Sequence, residues 1–351
     1  MRMKVLKKVI AVICTLIFII LVFFAVLTFT EFSPEKTQSL EVRGKTELTL
    51  TADKPYKIIS WNTGYACLGK NADFFMDGGT HVKTADKNLA QKNLNAMQGF
   101  ISKSGADFIF LQETDFNSSR SSYINQTEFF EKNNPGFESV FARNFKTLFV
   151  PYPVPPIGKV DSGIMTLSRF HIEQSSRISL PCPFSYPMRL CNLKRCLLTA
   201  ELPVENTSRK LILVNLHLEA YDDGEGKKAQ TKVLLDFLKA EQKKGNYIIA
   251  GGDFNQSFPD ANAPQVKEGL WKPGFLDKSG FETFTLLMDD TKASCRSLDR
   301  PYNEDEDFQF YRIDGFIISK NINVKSFEAV NLEFENSDHN PVVLEFTMNT
   351  D

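Results

Sequence analysis

The chain has 351 residues, 42% hydrophobic and 24% charged. These are ordinary proportions for a globular protein; they exclude extensive disorder and leave room for one large domain or two modest ones. A formal net charge of −2 at pH 7 excludes a bulk polyelectrolyte binder, although a local basic groove stays open.

The first thirty residues differ from the rest. Arg2, Lys4, Lys7 and Lys8 precede an uncharged apolar run from Val9 to Phe29, followed by Glu31. At a rise of roughly 1.5 Å per residue that run spans about 30 Å, one bilayer core. A signal peptide, with secretion after cleavage, is the competing expectation. Its apolar region is usually shorter, roughly 7 to 15 residues, and no small-x-small cleavage site stands out after Phe29. The basic residues precede the run, so residues 1–8 are expected in the cytoplasm, 9–30 as a single-pass anchor in the cell membrane, and residues 31–351 outside. With those four cations removed from the 41 Lys and Arg, 37 remain against 43 Asp and Glu, a net charge of −6 for the outward part.

Residues 31–54, with Ser33-Pro34 and mixed charge, read as a stalk. From residue 55 onward, short runs of Ile, Val, Leu and Phe alternate with turn signals. Strands are expected at 56–62, 107–113, 137–142, 162–168, 172–179, 195–202, 210–217, 246–251, 313–319, 323–330 and 341–347. Helices are expected at 85–103 and 225–244, the second with Ala229, Val233, Leu234, Phe237 and Leu238 in an apolar stripe and Gly245 as its stop. Many strands and few helices point to two packed sheets with helices outside. Four prolines make 149–158 an extended, partly apolar loop and not a central strand. Of the five cysteines beyond the anchor, Cys182, Cys191 and Cys196 cluster in a loop-like stretch where one disulfide is expected in an oxidising compartment.

Polar residues recur where apolar strands stop. Asn62 closes 57–62, Glu113 closes 108–113, His217 closes 211–217, and Asp253-Phe254-Asn255 follow 247–252. Asp, Glu and Asn oxygens suit a hard cation such as Mg²⁺. Gly251-Gly252 permit a tight turn or a close backbone approach before Asp253. Asp314, an acid within the apolar run 313–318, needs a partner to offset its desolvation. His339, in Ser337-Asp338-His339-Asn340-Pro341, is suited to proton transfer near neutral pH and needs a carboxylate to fix its tautomer. His81 and His171 lie in polar loops and are set aside. Lys227-Lys228 read as a solvated helix face.

In order, Ser60-Trp61-Asn62, Leu111-Gln112-Glu113, Asn215-Leu216-His217-Leu218, Gly252-Asp253-Phe254-Asn255, Ile313-Asp314 and Ser337-Asp338-His339-Asn340-Pro341-Val342 resemble the endonuclease/exonuclease/phosphatase superfamily over residues 55–348. The resemblance implies an α/β, four-layered sandwich of two central, mostly antiparallel sheets flanked by helices, with residues 55–351 as the catalytic domain. It implies a Mg²⁺ site (Mn²⁺ or Ca²⁺ as alternatives) at Glu113 and Asn62, with Asp338 on the same metal or a second one. His339, oriented by Asp314, would be general base or phosphate-binding acid. Asp253 and Asn255 would position water and phosphate, and His217 would contact the phosphate or assist the leaving group.

The resulting expectation is a membrane-anchored, outward-facing phosphoesterase acting on phosphodiesters or phosphomonoesters, an endonuclease included. The alternatives are a phospholipid or phosphoinositide headgroup hydrolase and a catalytically silent binding domain. The substrate would be nucleic acid, a phospholipid headgroup or an inositol phosphate. A protein partner is not expected, and the chain is expected to act as a monomer.

Overall fold

The structure, a computed structural model, describes residues 2–350. Its centre is a pair of sheets. One has seven strands in the order Thr37–Ser39, Gln174–Ser179, Cys196–Pro203, Lys210–His217, Tyr247–Asp253, Asp314–Ser319 and Phe284–Leu287. The other has six, in the order Ile322–Ala329, Val342–Met348, Tyr56–Asn62, Phe108–Asp115, Gly158–Ser168 and Glu138–Val150. Two pairs within these sheets are parallel, Tyr56–Asn62 with Phe108–Asp115 and Lys210–His217 with Tyr247–Asp253. The others are antiparallel, as expected.

The alternation of side chains along each strand builds the layers. Ile58, Phe108, Phe110 and Phe346 of one sheet meet Leu198, Leu213, Ile249 and Phe316 of the other in the central core. The opposite face of the six-stranded sheet packs Ile109, Leu111 and Met165 against Leu94, Met97 and Ile101 of the Lys87–Ser104 helix. The opposite face of the seven-stranded sheet packs Ile212, Val214 and Ile248 against Leu234 and Leu238 of the Glu225–Lys243 helix. Helix, sheet, sheet and helix make the four layers.

Local signals explain the helix ends. Asp86 caps the first helix by accepting from the Leu89 N–H at 2.8 Å, and Gly105 ends it with φ +67°. A third helix, Gln126–Asn133, was not expected; it is capped by Asn125 and inserts Phe130 beneath the sheet. At the front of the chain, the Arg2–Phe29 helix is long and apolar enough to cross a membrane, and its length and composition also fit a signal sequence.

Residues 31–54 run along the domain instead of standing off it. Thr37–Ser39 pairs with Gln174–Ser179, and bridges join Arg43 to Ser139 and Leu50 to Val204. The expected disulfide does not form: Cys182, Cys191 and Cys196 are all free. Cys196 begins its strand and is buried in the central core, whereas Cys182 is exposed. Lys227 is also not solvated. It is buried, donates to the Ala220 carbonyl at 2.7 Å and pairs with Asp222 at 3.4 Å.

Candidate active site

Strand direction gathers the polar residues at one edge. His217 and Asp253 are the last residues of parallel strands and lie in register, while Asp314 is the first residue of the antiparallel neighbour and pairs with Asp253. The facing sheet repeats the arrangement: Asn62 ends its strand, Glu113 lies near the end of the parallel neighbour, and Asp338-His339 lead into the antiparallel Val342–Met348 strand. Residues hundreds of positions apart therefore share one seam between the sheets.

The contacts are close. His339 Nδ1 lies 2.8 Å from Asp314 Oδ2. Asn62 Nδ2 reaches across the seam, donating to Asp253 Oδ2 at 3.0 Å and to Glu113 Oε1 at 3.2 Å. His217 Nε2 is 3.4 Å from Asp253 Oδ2, and His339 Nε2 is 3.8 Å from the same oxygen. Trp61 Nε1 donates to the His339 carbonyl at 2.8 Å, and Ser337 Oγ donates to the Asn62 carbonyl at 2.8 Å. The eight residues singled out from the sequence all meet here, with Asn62 and Asp314 buried behind the cavity that the other six line.

One placement differs from expectation. Glu113 does not close its strand, which continues to Asp115; the ladder shifts register between Leu111 and Thr114, and Glu113 has φ +53°. A bulge breaks the ladder's alternation, and the left-handed backbone costs energy that surrounding contacts must offset. Asn255 lies just beyond the Tyr247–Asp253 strand. It adopts φ +50°, donates its N–H to Asp253 Oδ1 at 2.8 Å and its side-chain amide to the Leu218 carbonyl at 2.9 Å.

The electrostatics separate the two histidines. Burial lowers the basicity of both. At His217 the Arg195 charge adds to that effect and the net shift is well downward. At His339 burial is outweighed by Asp314, Cys295 and Asp338 together, with Asp314 the leading contributor, and the net shift is well upward. Burial, with the Asp314 charge in addition, pushes Asp253 up to about 7. Burial and Glu113 push Asp338 up to about 6, against the pull of His339.

The donor set fits a hard divalent cation. Glu113 is near enough for its charge to add to the upward shift of Asp338, and the Asn62 amide is the hydrogen-bond donor to Glu113. The backbone at Gly64, with φ +49°, comes so close that a Cβ there would stand 2.8 Å from Asp338 Oδ1. Two carboxylates held together in a buried cleft are what a cation of this kind neutralises. The groups Asp253, Asp314, His339 and Cys295, Asp338, His339 also bring ligand atoms within 4.8 Å of one another. In the first group Asp314 is already bonded to the imidazole, and in the second the thiol is a soft ligand.

Several residues here were given no role from the sequence, although Gln112 and Asn215 stand within the quoted motifs. Gln112 donates to Asn215 Oδ1 at 2.8 Å, and Asn215 donates to the Met165 carbonyl at 2.8 Å, tying the two sheets behind the site. Tyr221 Oη donates to Asp77 Oδ1 at 2.9 Å, and both line the cavity. Burial pushes Asp77 up to about 7, with the charges of Asp338 and Glu113 adding to it. His81 pairs with Asp73 and His171 with Glu138, away from the cavity lining.

Comparison with known proteins agrees with this geometry. The model of the Endonuclease/Exonuclease/phosphatase family matches residues 59–339. No curated protein matches the chain by sequence. Among solved structures, the endonuclease/exonuclease/phosphatase from Beutenbergia cavernae is similar at 16% identity with a TM-score of 0.58, over 84% of this chain and 72% of that one. The human Nocturnin catalytic domain with bound sulfate is similar at 15% identity and TM-score 0.51, over 88% and 97%. D. rerio TDP2 complexed with a single-strand DNA product is similar at 13% identity and TM-score 0.53, over 84% and 100%. These structural likenesses speak for the fold, whereas the family match extends over most of the chain and includes each of the eight site residues. The chain belongs to the endonuclease/exonuclease/phosphatase family and is a metal-dependent hydrolase acting on phosphoester bonds.

Proposed function

We propose that this protein is a membrane-anchored, outward-facing, Mg²⁺-dependent phosphoesterase, divided into a basic cytoplasmic segment 1–8, an anchor 9–30, a connecting segment 31–54 and a catalytic domain 55–351. The observation that carries the activity is the His339–Asp314 pair facing Glu113 and Asp338 across the Asn62 amide in one cleft.

Glu113 and Asp338 would hold the cation, and Asn62, expected from the resemblance as a further ligand, would orient Glu113 through its amide N–H. When bound, the cation neutralises charge that accumulates on the phosphoryl oxygens. Asp253, fixed by the Asn255 N–H and the Asn62 amide, orients the attacking water and accepts its proton. His339, held in one orientation by Asp314, donates to a phosphoryl oxygen, and His217, kept neutral by burial, contacts the phosphate beside it. Asn255 lines the same wall. Donors fixed before the reaction stabilise the developing charge without reorganising.

An uncleaved anchor is supported by its seating on the domain. Leu27 is only 4% exposed, the Phe23 ring meets Phe149 edge-on at 6.3 Å, and Glu31, just beyond the helix, pairs with Lys194 at 3.0 Å and Arg189 at 3.3 Å. Removal of the helix would strip the Leu27 and Phe23 contacts.

Full-length protein is to be assayed with bis(p-nitrophenyl) phosphate and Mg²⁺. Glu113→Ala and His339→Ala are each expected to lower turnover at least about a hundredfold; unchanged rates in both would sink the assignment. For topology, protease added to intact cells is expected to degrade residues 31–351, and full protection would refute the outward placement.

A further inference from the structure

The cavity of the catalytic cleft, about 510 Å³ in volume, is also walled by the membrane helix. Phe23, Phe24 and Leu27 of that helix line it, together with Phe145, Tyr152 and Met188 of the domain. Hydrolysis of a small soluble phosphoester requires no such wall. The Pro-rich segment expected as a partly apolar loop forms part of the rim, where Tyr152 is 68% exposed and Met188 61% exposed.

The charges of the same cavity argue against a polynucleotide. A nucleic-acid strand is held by cations along its backbone. Besides the catalytic His339, the cationic side chains lining this cavity are Arg120, Arg195 and Arg296. Arg120 is bound to Asp115, Arg195 to Glu219, and Arg296 to the Gly69 and Ala72 carbonyls. Among the described residues no lysine lines it.

Resting on the anchored-hydrolase reading, we propose that the substrate is a membrane phospholipid, its phosphate at the catalytic edge and its hydrocarbon chain against Phe23, Phe24, Leu27 and the apolar rim. Phe23 to Phe29 is six residues, about 9 Å of helix. With Phe29 at the edge of the bilayer core, the lining residues lie within about 9 Å of that edge on its acyl side. A lipid can pass from the bilayer into the cleft without its chain crossing water. In the reaction the water oxygen forms a new bond to phosphorus, the ester P–O bond breaks, and the departing alcohol oxygen takes a proton. The products are an alcohol and a phosphate with one fewer ester bond, with no other reactant required.

The test uses full-length protein with Mg²⁺ on vesicles of equal parts dioleoyl phosphatidylcholine, phosphatidylethanolamine and phosphatidylglycerol. The dibutanoyl lipids of the same headgroups, bis(p-nitrophenyl) phosphate and single-stranded DNA serve as comparisons. Long-chain lipid is expected to be cleaved with kcat/KM at least about tenfold above the short-chain lipid, since buried chain adds binding energy. Tyr152→Ser and Met188→Ser, both at the exposed rim, are expected to lower the ratio of long-chain lipid to soluble-diester turnover about tenfold. Cleavage of the soluble diester with no dependence on chain length, or with DNA preferred, overturns the lipid assignment and leaves the hydrolase reading standing. No turnover of any of these substrates overturns both.

Discussion

His339 Nδ1 and Asp314 Oδ2 stand 2.8 Å apart although Asp314 begins a strand of the seven-stranded sheet and His339 stands in the segment leading into the Val342–Met348 strand of the other. An imidazole needs such a partner to fix its orientation and stabilise its charged form. Asp314→Asn keeps the size of the side chain but removes the charge. It is expected to lower kcat about a hundredfold while KM changes less than about threefold, as for a group that acts mainly in the transition state. Steady-state kinetics on the soluble diester check this; a change confined to KM would contradict it.

Metal removal has a thermal as well as a kinetic signature. EDTA is expected to abolish turnover and added Mg²⁺ to restore it. Because the cation binds the folded site, Mg²⁺ at a hundred times its Kd is expected to stabilise the fold by about 2.7 kcal/mol. Glu113→Gln is expected to raise the Mg²⁺ concentration for half-maximal activity and to shrink that stabilisation. Thermal melts with and without Mg²⁺ measure the second effect even in an inactive variant.

Gly252 allows the Tyr247–Asp253 strand to deliver Asp253. It has φ +148°, and a Cβ there would stand 1.9 Å from the Leu216 carbonyl oxygen, so backbone must move to accept one. Gly252→Ala is expected to cost about 2 kcal/mol or more in denaturant unfolding and to reduce turnover by moving Asp253. Full retention of both would show that the close approach has no consequence.

Asp77 gives a pH dependence of stability whose sign is fixed. Its folded-state pKa is about 7, against an ordinary value of 3.8, so between these values the folded state holds the proton more tightly than the unfolded chain. Stability from this group is therefore present at low pH and declines as pH rises toward 7. Asp77→Asn keeps an acceptor for Tyr221 and is expected to raise Tm by about 2 °C or more at pH 8, with a smaller rise at pH 5. Calorimetric melts at the two pH values decide it.

The two sheets were legible because their strands are short apolar runs with turns between them, and the site was legible because polar residues stop those runs. Asn62, His217 and Asp253 stand where an alternating or fully buried pattern puts a strand end, and Asp314 stood out as an acid within an apolar run. Glu113 was legible as a residue but not in its geometry, since a bulge leaves no mark on the pattern of apolar positions. The Gln126–Asn133 helix is too short for a period to emerge, with one large apolar side chain, Phe130, fully buried. Cys196 and Lys227 were misjudged because local composition does not reveal which way a side chain faces. The seating of Phe23 and Leu27 against the domain depends on contacts with segments more than a hundred residues away, which no local pattern encodes.

Asn62 Nδ2 grips Asp253 from the opposite sheet, as His339 grips Asp314. Neither sheet owns a complete catalytic set, so the chemistry serves as a vernier for their alignment. A slip of one sheet over the other by a fraction of a strand spacing would silence the enzyme while leaving every strand, helix and circular-dichroism signal in place.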